Sequence, residues 1–321
     1  MIGGPTQGAG LAPTTAQDYW NNFDAIPDDK WWGADGSQSV VLPDGRVLWT
    51  FADTFRKPSG FDHNTFIVQG LQGDLTVINR PIPNRADGSY IWPIKPIRQG
   101  NTVYIFSNRV IKDEAAPMGF RGLGNQIERF DATTLARKSP IELPSKIGVS
   151  WTAAVYRGST YTYIWGNKHN WLGHDGYLAR VENGYLHDLT RWRFWTGGSI
   201  WSSDETLAKS FSPAGKMDST WNVLRVPNTS GYRLVTKSNS FLGSTVDLYV
   251  SDKITGPWSF KRTLATYPND STRTSYMAGI HPWAKLASGK YLMTVCHGDT
   301  LSNMLNYPES ARPDFKEVDL T

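Results

Sequence analysis

The chain has 321 residues, with 33 Lys and Arg against 29 Asp and Glu for a formal charge of +4, and a single cysteine, Cys296. The basic residues are scattered without a run, which excludes a nucleic-acid footprint, and one thiol excludes an internal disulfide framework. No apolar run approaches the ~20 residues of a membrane span, and the opening residues lack the basic-then-apolar order of a secretory leader. An extracellular or virion-associated protein is expected, its leader removed or its export taking another route. Cys296 reads as a small buried hydrophobe, not a nucleophile.

Residues 1–19, rich in Gly, Pro, Thr and Ala and without periodicity, read as a flexible lead-in to one domain over 20–321. Within 31–56 two strand-like runs, 37–42 and 46–52, flank the tripeptide Pro43-Asp44-Gly45. Proline pre-sets φ for the first turn position, and glycine takes the left-handed conformation that closes a three-residue hairpin loop. If Leu42 and Arg46 flank that loop, paired positions total 88, and Asp35 falls across from Asp53. Opposed Cβ atoms lie about 4.5–5.5 Å apart, so two carboxylates would repel there. An arrangement that costs stability points to function.

The hairpin pattern recurs. Second strands begin near Gly45, Gly100, Gly158, Gly231 and Gly289, at spacings of 55, 58, 73 and 58 residues. Strand-like pairs follow the first four, at 65–69 and 75–78, 126–130 and 140–143, 176–181 and 191–201, and 246–250 and 258–264. A period near 60 built from hairpins predicts an all-β, five-bladed β-propeller with four-stranded antiparallel blades. The last unit is short of strands, so residues 20–26 are expected to complete it and close the ring.

In such a ring the start of each innermost strand and the end of the next meet at one rim. Asp35, Asp53, Tyr90, Trp92, Asn108, Gly148, Trp151, Asn167, Trp221, Asn239, His281 and His297 would converge there, with His63 in a loop entering the same face. Asp35 and Asp53 are the candidate catalytic pair of a glycosidase. His63, Trp92, Asn108, Trp151, Asn167, Trp221, Asn239, His281 and His297 are candidate substrate contacts, because indole faces stack on sugar rings while amides and imidazoles bond hydroxyls. Bland readings stand beside these. Most of the 14 Trp belong to the core, the asparagines can satisfy loop backbone, and two histidines without a third partner are ordinary hydrogen-bonded residues, so neither metal nor cofactor is expected. Either Asp204 or Asp218 could be a third carboxylate that tunes the acid.

The segment WWGADGSQSVVLPDGRVLWTFADTF, with one Asp in Gly-Ala-Asp-Gly and another in Phe-Ala-Asp-Thr-Phe, resembles glycoside hydrolase family 183. That resemblance implies an endo-D-arabinanase of actinobacterial or actinophage type on a five-bladed propeller, with D-arabinan of mycobacterial arabinogalactan and lipoarabinomannan as its polymer partner. It carries the catalytic pair onto Asp35 and Asp53, and family practice among propeller furanosidases implies inversion. The alternative is a non-catalytic glycan-binding propeller of a phage tail or adhesin. Sialidase repeats of the Ser-x-Asp-x-Gly-x-x-Trp type are absent, and the period is longer than the ~40–45 residues of WD propellers.

Overall fold

The Pro43-Asp44-Gly45 loop forms where its residue types direct. Leu42 and Arg46 close it (Leu42 N to Arg46 O, 2.8 Å), Gly45 takes φ +88°, and Gln38–Val41 pairs with Val47–Phe51 at positions totalling 88. The computed structural model describes residues 12–116, 118–170, 173–211, 217–239, 243–267 and 274–321. Two more strands, Thr65–Gln69 and Leu75–Asn79, complete a four-stranded antiparallel sheet. The same meander recurs in Tyr90–Gln99, Thr102–Lys112, Phe120–Asp131 and Arg137–Leu143.

The third unit, Ser150–Arg157, Tyr161–Asn170, Gly173–Glu182 and Arg193–Gly197, carries an extra strand Ile200–Ser202. The fourth is Met217–Leu224, Tyr232–Ser238, Thr245–Ser251 and Ser259–Thr266. Among the described residues a single pairing, His174 with Met217, joins these two into one nine-stranded sheet. The last unit has three strands, Thr274–Lys285, Tyr291–Gly298 and Asp314–Val318.

The first strands of the five units touch in cyclic order, the fifth returning to the first. Five apolar clusters fill the gaps between successive units. Leu48, Phe66, Ile91 and Ile105 sit between the first and second, and Phe106, Ile127, Trp151 and Ile164 between the second and third. Trp165, Leu178, Trp221 and Leu234 follow, then Val235, Leu248, Ile280 and Met293. Trp49, Phe51, Ala284 and Leu292 join the last unit to the first. A sheet that is apolar on both faces has to be covered on both, and a ring of sheets does this without leaving an end.

Residues 20–26 do not supply the missing strand. They fall in and just beyond a helix, Ala16–Asp24, which starts inside the expected lead-in on a capping box between Thr15 and Asp18. The helix buries Tyr19 and Phe23 against Trp49, Phe51 and Phe315, so it packs on the closing junction by its side chains instead of adding to a ladder. Before the final strand two short helices, Leu301–Asn306 and Pro308–Ala311, fill most of the stretch. Among the described residues no helix is long and apolar enough to cross a membrane.

Candidate active site

The rule of 88 survives an interruption at the strand end. Gly33 and Ala34 pair with Phe55 and Thr54, and between the two ladders Asp35 N donates to Asp53 O (3.1 Å) while Ala52 N donates to Asp35 O (2.9 Å). The chain kinks at Gly36, where φ is +77° and an added Cβ would meet Ala52 N at 3.1 Å. Gly36 N also donates to Cys296 Sγ (3.2 Å), pressing this corner against the last sheet. The two aspartates stay adjacent but turn toward different neighbours.

Asp35 faces the last sheet. Its Oδ2 accepts from Tyr276 Oη (3.0 Å), and its Oδ1 is buried without a hydrogen-bond partner among the described residues. Burial, and then the charge of Asp53, push its carboxyl up to about 7. A carboxylate with an unmet buried oxygen is costly, and the neutral acid lowers that cost. Tyr276 remains a donor, because burial and the nearby Asp35 raise its phenol well above the ordinary range.

Asp53 faces the second sheet. One oxygen, Oδ1, accepts from Trp92 Nε1 (2.7 Å) and contacts His63 Nδ1 (3.0 Å). His63 lies flat on Tyr90, ring centroids 3.5 Å apart and planes at 6°, so its orientation is set by stacking. Trp92 in turn meets Phe120 edge-on at 4.6 Å. A carboxylate pinned through one oxygen keeps the other for a proton, which is what a general base needs.

From Trp92 a cleft of about 590 Å³ leads off between the second and third sheets, lined by Asn108, Arg109, Phe120, Asn125 and Ser150. Asn108 borders it, yet its Oδ1 already accepts from Asn125 Nδ2 (2.8 Å) and Thr152 Oγ1 (3.1 Å). Asn167 is buried, and its amide donates to Ser219 O (2.8 Å). Asn239 takes a left-handed φ of +49° at the end of its strand with Oδ1 buried, and residues 240–242 beside it lie outside the described residues.

Four other expected contacts are corrected. Trp151 and Trp221 are 1% and 0% exposed and belong to the cores between sheets. His281 is enclosed, bonded to Ser39 Oγ (2.6 Å) and Thr294 Oγ1 (3.0 Å), and burial holds its imidazole down at about 3, so it stays neutral. His297 is buried against Tyr267 and Asp314. For Trp221 and His281 the cause is strand length. The fourth and fifth innermost strands begin at Met217 and Thr274, earlier than expected, and both carry bulges, so Trp221 and His281 sit inside the ring while Asp218 and Tyr276 reach the rim.

Asp218 is that rim's third carboxylate, buried and accepting from Ser219 N (2.7 Å) and Met277 N (2.9 Å). Met277 follows Tyr276 and has φ +52°, so one strained corner holds both Asp35 and Asp218. Asp204 instead caps a 3-10 turn through Thr206 N. Beneath the site Lys95 is buried, bonded to Gln38 Oε1 (2.7 Å), and burial pulls its ammonium down to about 7. Cys296 is also buried, which raises its thiol to about 11 and leaves it inert. Among the described residues no three His, Cys, Asp or Glu side chains converge as a metal site. Tyr276 is the Asp35 contact that sequence reasoning missed; its signal was a tyrosine two residues before the Ala-Gly step of a long strand.

A family model described as a domain of unknown function, DUF5005, matches residues 17–318. The chain belongs to this family. No curated protein matches its sequence. Among solved structures, a candidate hydrolase from Bacteroides ovatus superposes with TM-score 0.73 at 17% identity, covering 99% of this chain and 96% of that one. The RS223 β-xylosidase superposes at 0.55 and 12%, covering 89% and 92%. An exo-1,5-α-L-arabinanase from a bovine ruminal metagenomic library superposes at 0.53 and 10%, covering 91% and 94%. At these identities the DUF5005 chain shares their fold.

Two consequences can be checked at once. Tyr276→Phe removes the hydroxyl that holds the Asp35 carboxyl down, so the alkaline limb of the pH profile of kcat/KM should move upward; an unmoved limb would detach Tyr276 from the titrating group. Trp151→Phe deprives buried Glu205 of its indole donor (2.9 Å), which should cost about 1–3 kcal/mol in denaturant unfolding. Its kcat should match the parent's, since Trp151 is sealed in the core; a fall in kcat at unchanged stability would return Trp151 to the substrate.

Proposed function

We propose that this DUF5005 protein is a glycoside hydrolase built as a five-bladed propeller, in which Asp35 is the general acid and Asp53 the general base. The observation that carries the reading is the inequality of the two carboxyls. Asp35 is held protonated toward neutrality by burial, while Asp53 is a polar acceptor pinned by Trp92 and His63. Two adjacent carboxyls in unlike surroundings are the equipment for protonating a leaving oxygen and deprotonating a water. The ring of five meanders supports the blade count, and the fold neighbours include proteins named as a xylosidase and an arabinanase.

The substrate we infer is D-arabinan of the mycobacterial cell envelope, cut internally at α-D-arabinofuranosyl linkages with inversion. The first-hairpin motif supports the polymer, and the open cleft leading from Trp92 along Phe120 supports an extended chain running away from the aspartates between the second and third sheets. Such a protein acts outside its cell of origin or on a virion. Incubation with mycobacterial arabinogalactan should release oligosaccharides of several lengths, with the inverted anomer appearing first by proton NMR. Release of single sugars only would overturn the endo assignment. No release, with binding retained, would favour a non-catalytic glycan-binding propeller.

A further inference from the structure

At the opposite end of the sheets the third and fourth units enclose a second groove, of about 940 Å³. The direction follows from strand order. Asp35 and Tyr276 lie where innermost strands begin, whereas Tyr232 starts a second strand and lies beside the pairing of Leu224, the last residue of an innermost strand, with Arg233. The turn 252–258 leaves the third strand of that unit at the same end, since Tyr232 pairs with Ser251.

The groove is walled by Tyr163, Arg180, Trp195, Trp201, Tyr232 and Trp258. Three indoles and two phenols that only partly bury themselves are an unusual expense for two second strands, an outer hairpin and a turn. They are also held in place. Trp195 commits its N–H to Gly198 O (3.0 Å), and the Arg180 guanidinium lies 4.2 Å from the Trp201 ring centre and 4.3 Å from that of Tyr161. Ring faces fixed before a ligand arrives lose little freedom when it binds. Exposed Asp252 and Lys253 stand on the turn at the groove's edge, so with Arg180 the lining is close to charge balance. That disfavours a polyanion, which needs a basic stripe, and the volume falls in the ~300–1,000 Å³ range of ligand sites.

We propose that this groove is a second glycan-binding site, taking an uncharged polysaccharide chain on its aromatic faces while Asp252 and Lys253 bond hydroxyls. A proline-rich peptide would also stack on the rings but would leave those two charged groups unmet. The site anchors polymer remote from the aspartates and raises its local concentration there. It stands apart from the hydrolase reading.

The test uses Asp35→Asn protein, so that the probe is not consumed, in native gels containing soluble mycobacterial arabinogalactan or soluble xylan. Retardation by at least one of these polymers is expected, and Trp195→Ala/Trp201→Ala added to that chain should weaken the polymer Kd at least tenfold. In the chain that keeps Asp35, the same double change should leave kcat/KM on short oligosaccharides unaltered. Trp258→Ala, on the turn at the groove's edge, repeats the measurement should the double variant unfold. Equal retardation of all variants would overturn the proposal, as would binding of a proline-rich peptide in place of polymer, or dimerisation that the groove changes abolish. Groove-dependent retardation by a parent that cleaves nothing would sustain this site and sink the hydrolase.

Discussion

Asp35→Asn is expected to keep the fold and lose about 10²- to 10⁴-fold in kcat on arabinan, the usual contribution of a positioned proton donor. The loss should shrink on an aryl arabinofuranoside whose phenolate leaves without a proton, because only the acid's task has been removed. In the parent, kcat/KM should fall above about pH 7 as the Asp35 carboxyl ionises, and that limb should be missing from the variant.

Stability should move the other way. The Asp35 carboxyl is raised from the ordinary value near 4 to about 7, so its folded-state advantage is complete at low pH and is lost as pH rises through that window. Asparagine does not titrate. Denaturant unfolding should therefore show Asp35→Asn gaining on the parent between about pH 4 and pH 7, by on the order of a few kcal/mol. A variant that tracks the parent at every pH would mean that Asp35 is not the titrating acid.

Asp53→Asn should cost a comparable 10²- to 10⁴-fold, with a different signature. An asparagine carbonyl still accepts from Trp92 and His63, so the geometry is retained and only the proton acceptor is lost. The base is needed whatever the leaving group, so the aryl glycoside should not recover activity. If Asp53→Asn were rescued by the better leaving group while Asp35→Asn was not, the two roles would be exchanged. Equal arabinan cleavage by parent and variant would remove Asp53 from the reaction.

The first hairpin was legible because every force on it is local. Pro43 and Gly45 fix the turn, the turn fixes the register, and the register brings Asp35 beside Asp53 across two short ladders that agree in their sum. His63 and Trp92 were also found as rim residues, though the structure makes them holders of Asp53. The fourth and fifth units were misread for a non-local reason. Their innermost strands run past the expected starts and absorb bulges, and each bulge changes which side chains face inward. That put Trp221 and His281 in the core and handed their rim positions to Asp218 and Tyr276.

By itself the sequence determined the all-β character, the repeat of hairpins and the pairing of two aspartates, since turn chemistry and alternation act over a few residues. Only the tertiary structure decided how unlike the surroundings of the two carboxyls are. That depends on what closes over each one: Tyr276 comes from some 240 residues away to cover Asp35, and Trp92 crosses from the next sheet to hold Asp53. Desolvation is a property of packing, and packing between sheets is set by the whole ring.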